Sequence, residues 1–195
     1  MKVIFNPEEP LEFPTSVTIG IFDGVHVGHK KIIGLLKNEA REKGLHSCVV
    51  TFHPHPQKVL RKTAMPLIVP LRERLKLLEK EGVDITVCFN FTKEFAQISA
   101  KDFVRDTLVR KLRVRTIFVG PDFFFGRKRE GNIDLLESLG RTHGFETKIV
   151  EPVSLDNEPV SSTVIRDLIE NGKVEKAGRF LGRNFFIEGR IKEGE

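Results

Sequence analysis

Apolar positions along this chain switch repeatedly between two periods. Short runs rich in β-branched and aromatic residues, from Val17 to Phe22, Ser47 to Phe52, Ile85 to Phe89, Thr116 to Val119 and Thr147 to Val150, read as strands of a buried parallel sheet. Between them the spacing is helical. Ile32, Leu35, Leu36 and Ala40, then Leu71, Leu75 and Leu78, then Val104, Leu108 and Leu112, each draw one apolar stripe. Ser99 stands where an N-cap would open the third of these helices, and Asn132 where one would open a fourth, carrying Leu135, Leu136 and Leu139 and ending near Gly144. The alternation predicts an α/β fold with an open, parallel, five-stranded sheet, helices on both faces and right-handed crossovers. Ligands of such sheets bind beyond the carboxyl ends of the strands. Two short helices, Thr163 to Glu170 and Val174 to Leu181, follow on either side of Asn171-Gly172, and Phe185, Ile187, Gly189 and Ile191 then alternate with charged residues as a strand does.

Composition narrows the field. The 195 residues are 39% hydrophobic, enough for a sizeable core, which excludes intrinsic disorder as the main state. No apolar run approaches the roughly 20 residues that cross a bilayer, and Pro7-Glu8-Glu9-Pro10 interrupts the opening segment, so neither a membrane span nor a signal peptide is expected. Cys48 and Cys88 lie inside strand-like runs and form no C-x-x-C pair, as reduced core cysteines of a cytoplasmic protein would. The excess of 32 Lys and Arg over 27 Asp and Glu is modest. Arg110, Lys111, Arg113 and Arg115 span a helix end and the start of a strand, where the helix dipole favours cations. Arg127-Lys128-Arg129 lies in a loop between glycines and could meet a phosphate. No aromatic interleaving accompanies either group, and no nucleic-acid partner is expected.

The chemistry concentrates in Gly20-Ile21-Phe22-Asp23-Gly24-Val25-His26-Val27-Gly28-His29, which joins the first of these strands to the first helix. A helix N-terminus at the carboxyl edge of a sheet presents free N–H groups and partial positive charge, so a phosphate is its natural guest. His26 and His29, three apart, face one side of the first turn, and Gly28 clears the approach. The spacing is not that of a P-loop, because Gly24 and Gly28 enclose only three residues and His29-Lys30-Lys31 follows. Zinc is disfavoured as well: His26, His29, His53, His55 and Cys48 do not fall at paired-ligand spacings. A second constellation, Ser161-Ser162-Thr163-Val164-Ile165-Arg166, opens a late helix with three hydroxyls and an arginine one turn on. It is either a plain N-cap or a set of phosphate donors.

Together these residues resemble the nucleotidyltransferase module of bacterial bifunctional riboflavin kinase/FAD synthetases. The resemblance covers nearly the whole chain: Gly20-x-Phe22-Asp23-Gly24-x-His26-x-Gly28-His29, Thr51-Phe52-x-Pro54-His55-Pro56, Gly120-x-Asp122-Phe123-x-Phe125-Gly126 and Ser161-Ser162-Thr163-x-Ile165-Arg166. Leu181-Gly182-Arg183 looks like the junction into a kinase module. The first and last motifs are shared with other adenylyl- and cytidylyltransferases. The Pro-His-Pro and Asp-Phe-x-Phe-Gly segments are what resemble the flavin branch.

The resemblance implies a Rossmann-like nucleotidyltransferase fold and transfer of AMP from ATP to FMN, giving FAD and pyrophosphate. His26 and His29 would hold the α-phosphate oxygens, and Arg166 the leaving pyrophosphate with help from Ser161, Ser162 and Thr163. Gly20, Phe22, Asp23, Gly24 and Gly28 would shape the nucleotide loop. Asp122 would lie between the nucleotide and flavin sites, facing either a phosphate-bound metal or a ribityl hydroxyl. Phe52, Pro54, His55, Pro56 and Phe125 would wall the flavin ring, and Mg2+ would accompany ATP, its ligands unassigned. Residues 1–183 would be the adenylyltransferase domain, and 184–195 the first strand of a riboflavin kinase domain that is otherwise absent, so riboflavin itself would not be phosphorylated. Two departures stand out: Phe124 occupies a position that is Arg in many members, and the kinase Pro-Thr-Ala-Asn signature does not occur. Two other readings stay open: a His-x-Gly-His transferase with another phosphorylated acceptor, and a flavin- or nucleotide-binding module without activity of its own.

Overall fold

A computed structural model of the protein describes residues 1–61 and 66–189. All six strands of the main sheet are parallel: β1 (Lys2–Phe5), β2 (Thr15–Ile19), β3 (His46–His53), β4 (Ile85–Asn90), β5 (Val114–Val119) and β6 (Glu146–Ile149), in the order β1-β4-β3-β2-β5-β6. The chain leaves β2 toward β3 through helix α1 (Val27–Lys43) and later returns to the other side of β2 as β5. Strand order therefore reverses between β2 and β5, and the crevice at that reversal is where open α/β sheets bind ligands.

Alternation along β3 shows how both faces are covered. Cys48 and Val50 point into one core with Val87, Leu108 and Leu136, whereas Val49 points into another with Ile33 and Leu36 of α1 and with Leu78 of α3 (Leu71–Lys80). A third cluster joins α6 (Ser162–Glu170) and α7 (Val174–Leu181) to Ile68 and Val69 through Ile165, Phe180 and Leu181. Both cysteines are free and buried.

The expected caps form. Ser99 accepts from Asp102 N–H at 3.1 Å, and Asn132 from Leu135 N–H at 3.0 Å at the start of α5 (Ile133–His143). That helix ends in left-handed Gly144, and Arg110 and Lys111 occupy the last turn of the helix before β5.

Several expectations need correction. The sheet has six strands, not five, because β1 pairs with β4 at the edge; four half-exposed residues ahead of Asn6-Pro7 are too short to show a period of their own. The first expected strand stops at Ile19 rather than Phe22, since Phe22, Gly24 and Val25 all take positive φ and cannot continue a ladder. A short helix α2 (Pro56–Arg61) begins at Pro56, whose fixed φ suits a first helical position. The third expected helix starts as one α-turn, α4 (Ala100–Asp102), and continues as a wide π-helix over Phe103–Lys111, closed by Leu112 N–H donating to Thr107 O five residues back. A small hairpin of β7 (Ser154–Leu155) and β8 (Glu158–Pro159) precedes α6. Residues 184–189, expected to begin a strand, belong to no regular element, for no strand among the described residues pairs with them; residues 190–195 lie outside the described residues.

Candidate active site

The loop from Gly20 to His26 crosses the carboxyl edge of the sheet and turns into α1. His26 is the N-cap: its Nδ1 accepts from His29 N–H at 3.3 Å, and the two imidazoles stack with centroids 3.6 Å apart. Gly28 leaves the His26 ring room, since a Cβ there would stand 3.2 Å from it and press the ring aside. Phe22 is buried against His29 at 4.9 Å between centroids, backing the pair rather than facing outward. Gly24, at φ +80°, packs against Ile68 and Leu181 and belongs to the frame of the loop.

Burial decides the charge state of the histidines. It pushes His26 down to about 4, with the Arg183 charge adding to the effect. Burial, then stacked His26, then the Arg74 cation hold His29 well below the ordinary imidazole range. Both rings are neutral at pH 7. Because His26 Nδ1 is an acceptor, its proton sits on Nε2, which is thereby a donor.

Asp23 anchors the loop. Its buried carboxylate accepts from Ile68 N–H at 3.1 Å and Val69 N–H at 3.2 Å and pairs with Arg166 at 3.5 Å, while its carbonyl accepts from Ser162 Oγ at 2.9 Å. The start of α6 is thus bolted to the histidine loop. Ser161 caps α6 by accepting from Val164 N–H, and Thr163 is exposed. Gly182 carbonyl, just after α7, accepts from Lys30 Nζ at 3.3 Å, which brings Arg183 against the first turn of α1.

Four buried polar atoms of this region have no hydrogen-bond partner: His29 Nδ1, Arg74 Nε, Arg166 Nε and Arg183 Nε. Buried polar groups are normally satisfied, so the orphans on His29, Arg166 and Arg183, gathered at one sheet edge, mark a place prepared for acceptor atoms from elsewhere, whereas Arg74 is engaged through its Nη1 by Ile21, Thr51 and Phe52. Among the described residues, no three His, Cys, Asp or Glu side chains group as a metal cage would require.

Beside the loop opens a cavity of about 680 Å³. Gly20 and Ile21 form one edge, and Phe52, His55, Pro56, Asp122 and Phe125 are all in its wall. Pro54 is not, and Asp122 is the one carboxylate there among the described residues. An unbroken chain of ring pairs runs Phe52, Phe95, Phe103, Phe125, Phe123 at 5.5 to 6.3 Å. Lys128 and Arg129, the loop cations, stand at the wall too, with the Arg129 guanidinium 4.5 Å over the exposed Phe124 ring. His55 links the two halves: it lines the cavity, and burial first, then Arg166 and Arg74 against an opposing Asp23, lower its basicity.

The structure therefore brings His26, His29, Asp23, Ser161, Ser162 and Arg166 to one polar end, and Phe52, His55, Pro56, Asp122 and Phe125 to the adjoining cavity. Sequence reasoning missed Arg74, Arg183, Phe91, Phe95 and Phe103. Arg74 was detectable, because it falls three residues after Leu71 on the same buried stripe as Leu75 and Leu78.

A family model described as FAD synthetase matches residues 9–164. The chain is 38% identical over 179 residues to a bifunctional riboflavin kinase/FMN adenylyltransferase of Buchnera aphidicola, covering 91% of this chain and 57% of that protein. It is 36% identical over 180 residues to the protein of the same description from Escherichia coli strain K12, covering 92% and 58%. The chain thus spans less than two thirds of the length of the curated relatives it matches. Among solved structures, a Streptococcus pneumoniae protein described as a macrolide-efflux protein superposes with TM-score 0.83 at 29% identity, over 95% of this chain and 63% of that one. A pantoate-β-alanine ligase from Thermus thermophilus superposes with TM-score 0.52 at 15% identity, over 93% and 81%, a likeness of fold alone. No helix among the described residues is long and apolar enough to cross a membrane.

Proposed function

This chain belongs to the FAD synthetase family, and on that premise we propose that it transfers the adenylyl group of ATP to the phosphate of FMN, releasing pyrophosphate and giving FAD. The observation that carries the reading is the junction of an aromatic cavity of about 680 Å³, sized for a planar ring system, with a histidine loop around which unsatisfied polar atoms of His29, Arg166 and Arg183 gather at the strand-order reversal. The isoalloxazine lies among Phe52, Phe95, Phe103 and Phe125, and the ribityl chain leads the phosphate past Gly20 and Ile21 toward the histidines.

A phosphate monoester is already largely ionised near pH 7, its second pKa being about 6, so no residue need deprotonate the nucleophile. One FMN phosphate oxygen attacks the α-phosphorus of ATP as the bond to pyrophosphate breaks on the opposite side. What remains for the protein is positioning and charge stabilisation. His26 Nε2–H and His29 donate to the α-phosphate oxygens as negative charge gathers there. Arg166 holds the leaving pyrophosphate with Ser161, Ser162 and Thr163, and Arg183, beside the first turn of α1, adds a further cation. Neutral imidazoles suit a site whose positive charge comes from arginines. Gly24 and Phe22 keep the loop in shape from behind.

Magnesium enters with ATP as part of the substrate, held by phosphate oxygens and water. Among the described residues no cage of three His, Cys, Asp or Glu side chains forms for it, and Asp122 is the carboxylate on the cavity wall nearest in kind to a ligand. We further infer that residues 1–183 form the adenylyltransferase module and that residues 184–195 belong to a riboflavin kinase module. A cytoplasmic location accords with two free, buried cysteines.

The test is a chromatographic assay of the purified chain with ATP, Mg2+ and FMN, with CTP and other phosphorylated acceptors in parallel tubes. FAD and pyrophosphate in equal amounts from ATP and FMN alone are expected. Release of pyrophosphate only with another acceptor would transfer the reading to that acceptor, and FMN binding without turnover would reduce the chain to a binding module.

A further inference from the structure

Among the fully buried side chains, the bulkiest is a cation. Arg74, on α3, is 1% exposed, and no carboxylate pairs with it among the described residues: Asp23, whose field it feels, is engaged by Ile68 N–H, Val69 N–H and Arg166. A buried charge without a counter-ion is costly, and an apolar side chain would pack this stripe as Leu78 does. The arginine does what an apolar residue cannot. Its Nη1 donates to Ile21 O, to Thr51 Oγ1 at 3.1 Å and to Phe52 O at 3.4 Å, and Thr51 Oγ1 in turn donates to Ile21 O at 2.9 Å. Ile21 belongs to the histidine loop after β2, whereas Thr51 and Phe52 close the adjacent strand β3 at the cavity wall.

We propose that Arg74 is a positioning residue that locks the histidine loop to the aromatic wall and so fixes the separation between the adenylyl donor and the acceptor phosphate. The proposal rests on the adenylyl-transfer reading above. Reaction between two bound substrates is sensitive to their relative placement, whereas each substrate's own contacts lie on one side of the lock. Arg74 touches neither the cavity nor the stacked imidazoles by hydrogen bond; it acts through Ile21, Thr51 and Phe52.

The experiment compares Arg74→Met and Arg74→Lys in the whole chain with wild type, by thermal unfolding, separate FMN and ATP binding, turnover, and histidine NMR titration without ligands. In Arg74→Met, turnover per folded molecule falls about 100-fold, the scale of an ångström-sized misplacement, while each binary affinity stays within about threefold. Arg74→Lys recovers part of the loss, because an ammonium reaches fewer of the three oxygens at once. Should Arg74→Met fail to fold, Arg74→Lys carries the test alone, with lowered turnover at an unchanged folded fraction.

In the ligand-free protein, Arg74→Met raises the titration midpoint of His29, which faces His26 and Phe22 and feels the Arg74 charge, and shifts the amide signals of Ile21 and Phe52 together. Wild-type turnover in either folded variant, or an activity loss that follows the unfolded fraction alone, would overturn the proposal. If wild type makes no FAD, the adenylyl-transfer reading fails by itself, and the ligand-free spectra decide the lock: unchanged Ile21, Phe52 and His29 signals in Arg74→Met would refute it.

Discussion

Two regions meet at the same sheet edge and are built on opposite principles. The aromatic cavity satisfies itself: its phenylalanines contact one another in an unbroken chain, and its loops are sealed by backbone pairs such as Phe125 with Gly131. The histidine end is left unfinished, with four buried donor or acceptor atoms facing no partner and three arginines close by. Ring binding needs shape and dryness, which packed side chains provide without a ligand. Stabilising charge that exists only during reaction needs polar groups held ready and unspent. The difference predicts that damage to the first region weakens binding, and damage to the second slows chemistry.

His29→Ala should give the largest effect that tests this division. Turnover falls about 100- to 1000-fold, as when one preorganised donor is removed, while FMN affinity, read from flavin fluorescence, stays within about threefold. Equal loss of affinity and rate would dissolve the division. Phe52→Ala should invert the pattern. Losing one stacking wall weakens FMN binding about 10- to 100-fold and leaves ATP affinity in place; a variant impaired only in ATP binding would put the ring elsewhere.

Acid sharpens the contrast on the side of stability. His26 has a folded-state value near 4 against an ordinary 6.5, so between those limits the unfolded chain binds more protons. Stability is therefore full above pH 6.5 and declines as pH falls toward 4, by about 2 kcal/mol at pH 5 from His26 alone. Denaturant unfolding at pH 7 and pH 5 measures it, and a level profile would mean that His26 is not held neutral. Glu39→Gln, far from either region, should act least. Burial would raise this carboxyl, but hydrogen bonds from Lys148 and Lys43 prevail and hold it at about 2. Its contribution is present above pH 4.5 and vanishes as pH falls through 2, so the variant loses about 1 kcal/mol at pH 7 with unchanged turnover.

The two regions were unequally legible in the sequence, for a physical reason. Phosphate recognition at a helix start uses residues close together in the chain, so Gly20 to His29 and Ser161 to Arg166 announced themselves, as did the caps Ser99 and Asn132. The cavity draws Phe52 from the end of a strand, Phe95 and Phe103 from helical turns and Phe123 from a loop, and only the parallel topology brings them together. Each phenylalanine alone resembles a core residue. The edge strand β1 escaped because four half-buried residues carry no readable period, and Arg74 because a charged residue on an apolar stripe reads as an exception until its three acceptors are seen.

With 16 Phe and neither Trp nor Tyr, the aromatic NMR spectrum of this protein contains only phenylalanine and histidine. The most direct measurement is therefore an intermolecular nuclear Overhauser experiment on phenylalanine-labelled protein saturated with FMN. The account predicts contacts from the isoalloxazine protons to the rings of Phe52, Phe95 and Phe103, and none to Phe180 in the α6–α7 core. Bound FMN whose ring protons touch none of the cavity phenylalanines would contradict it.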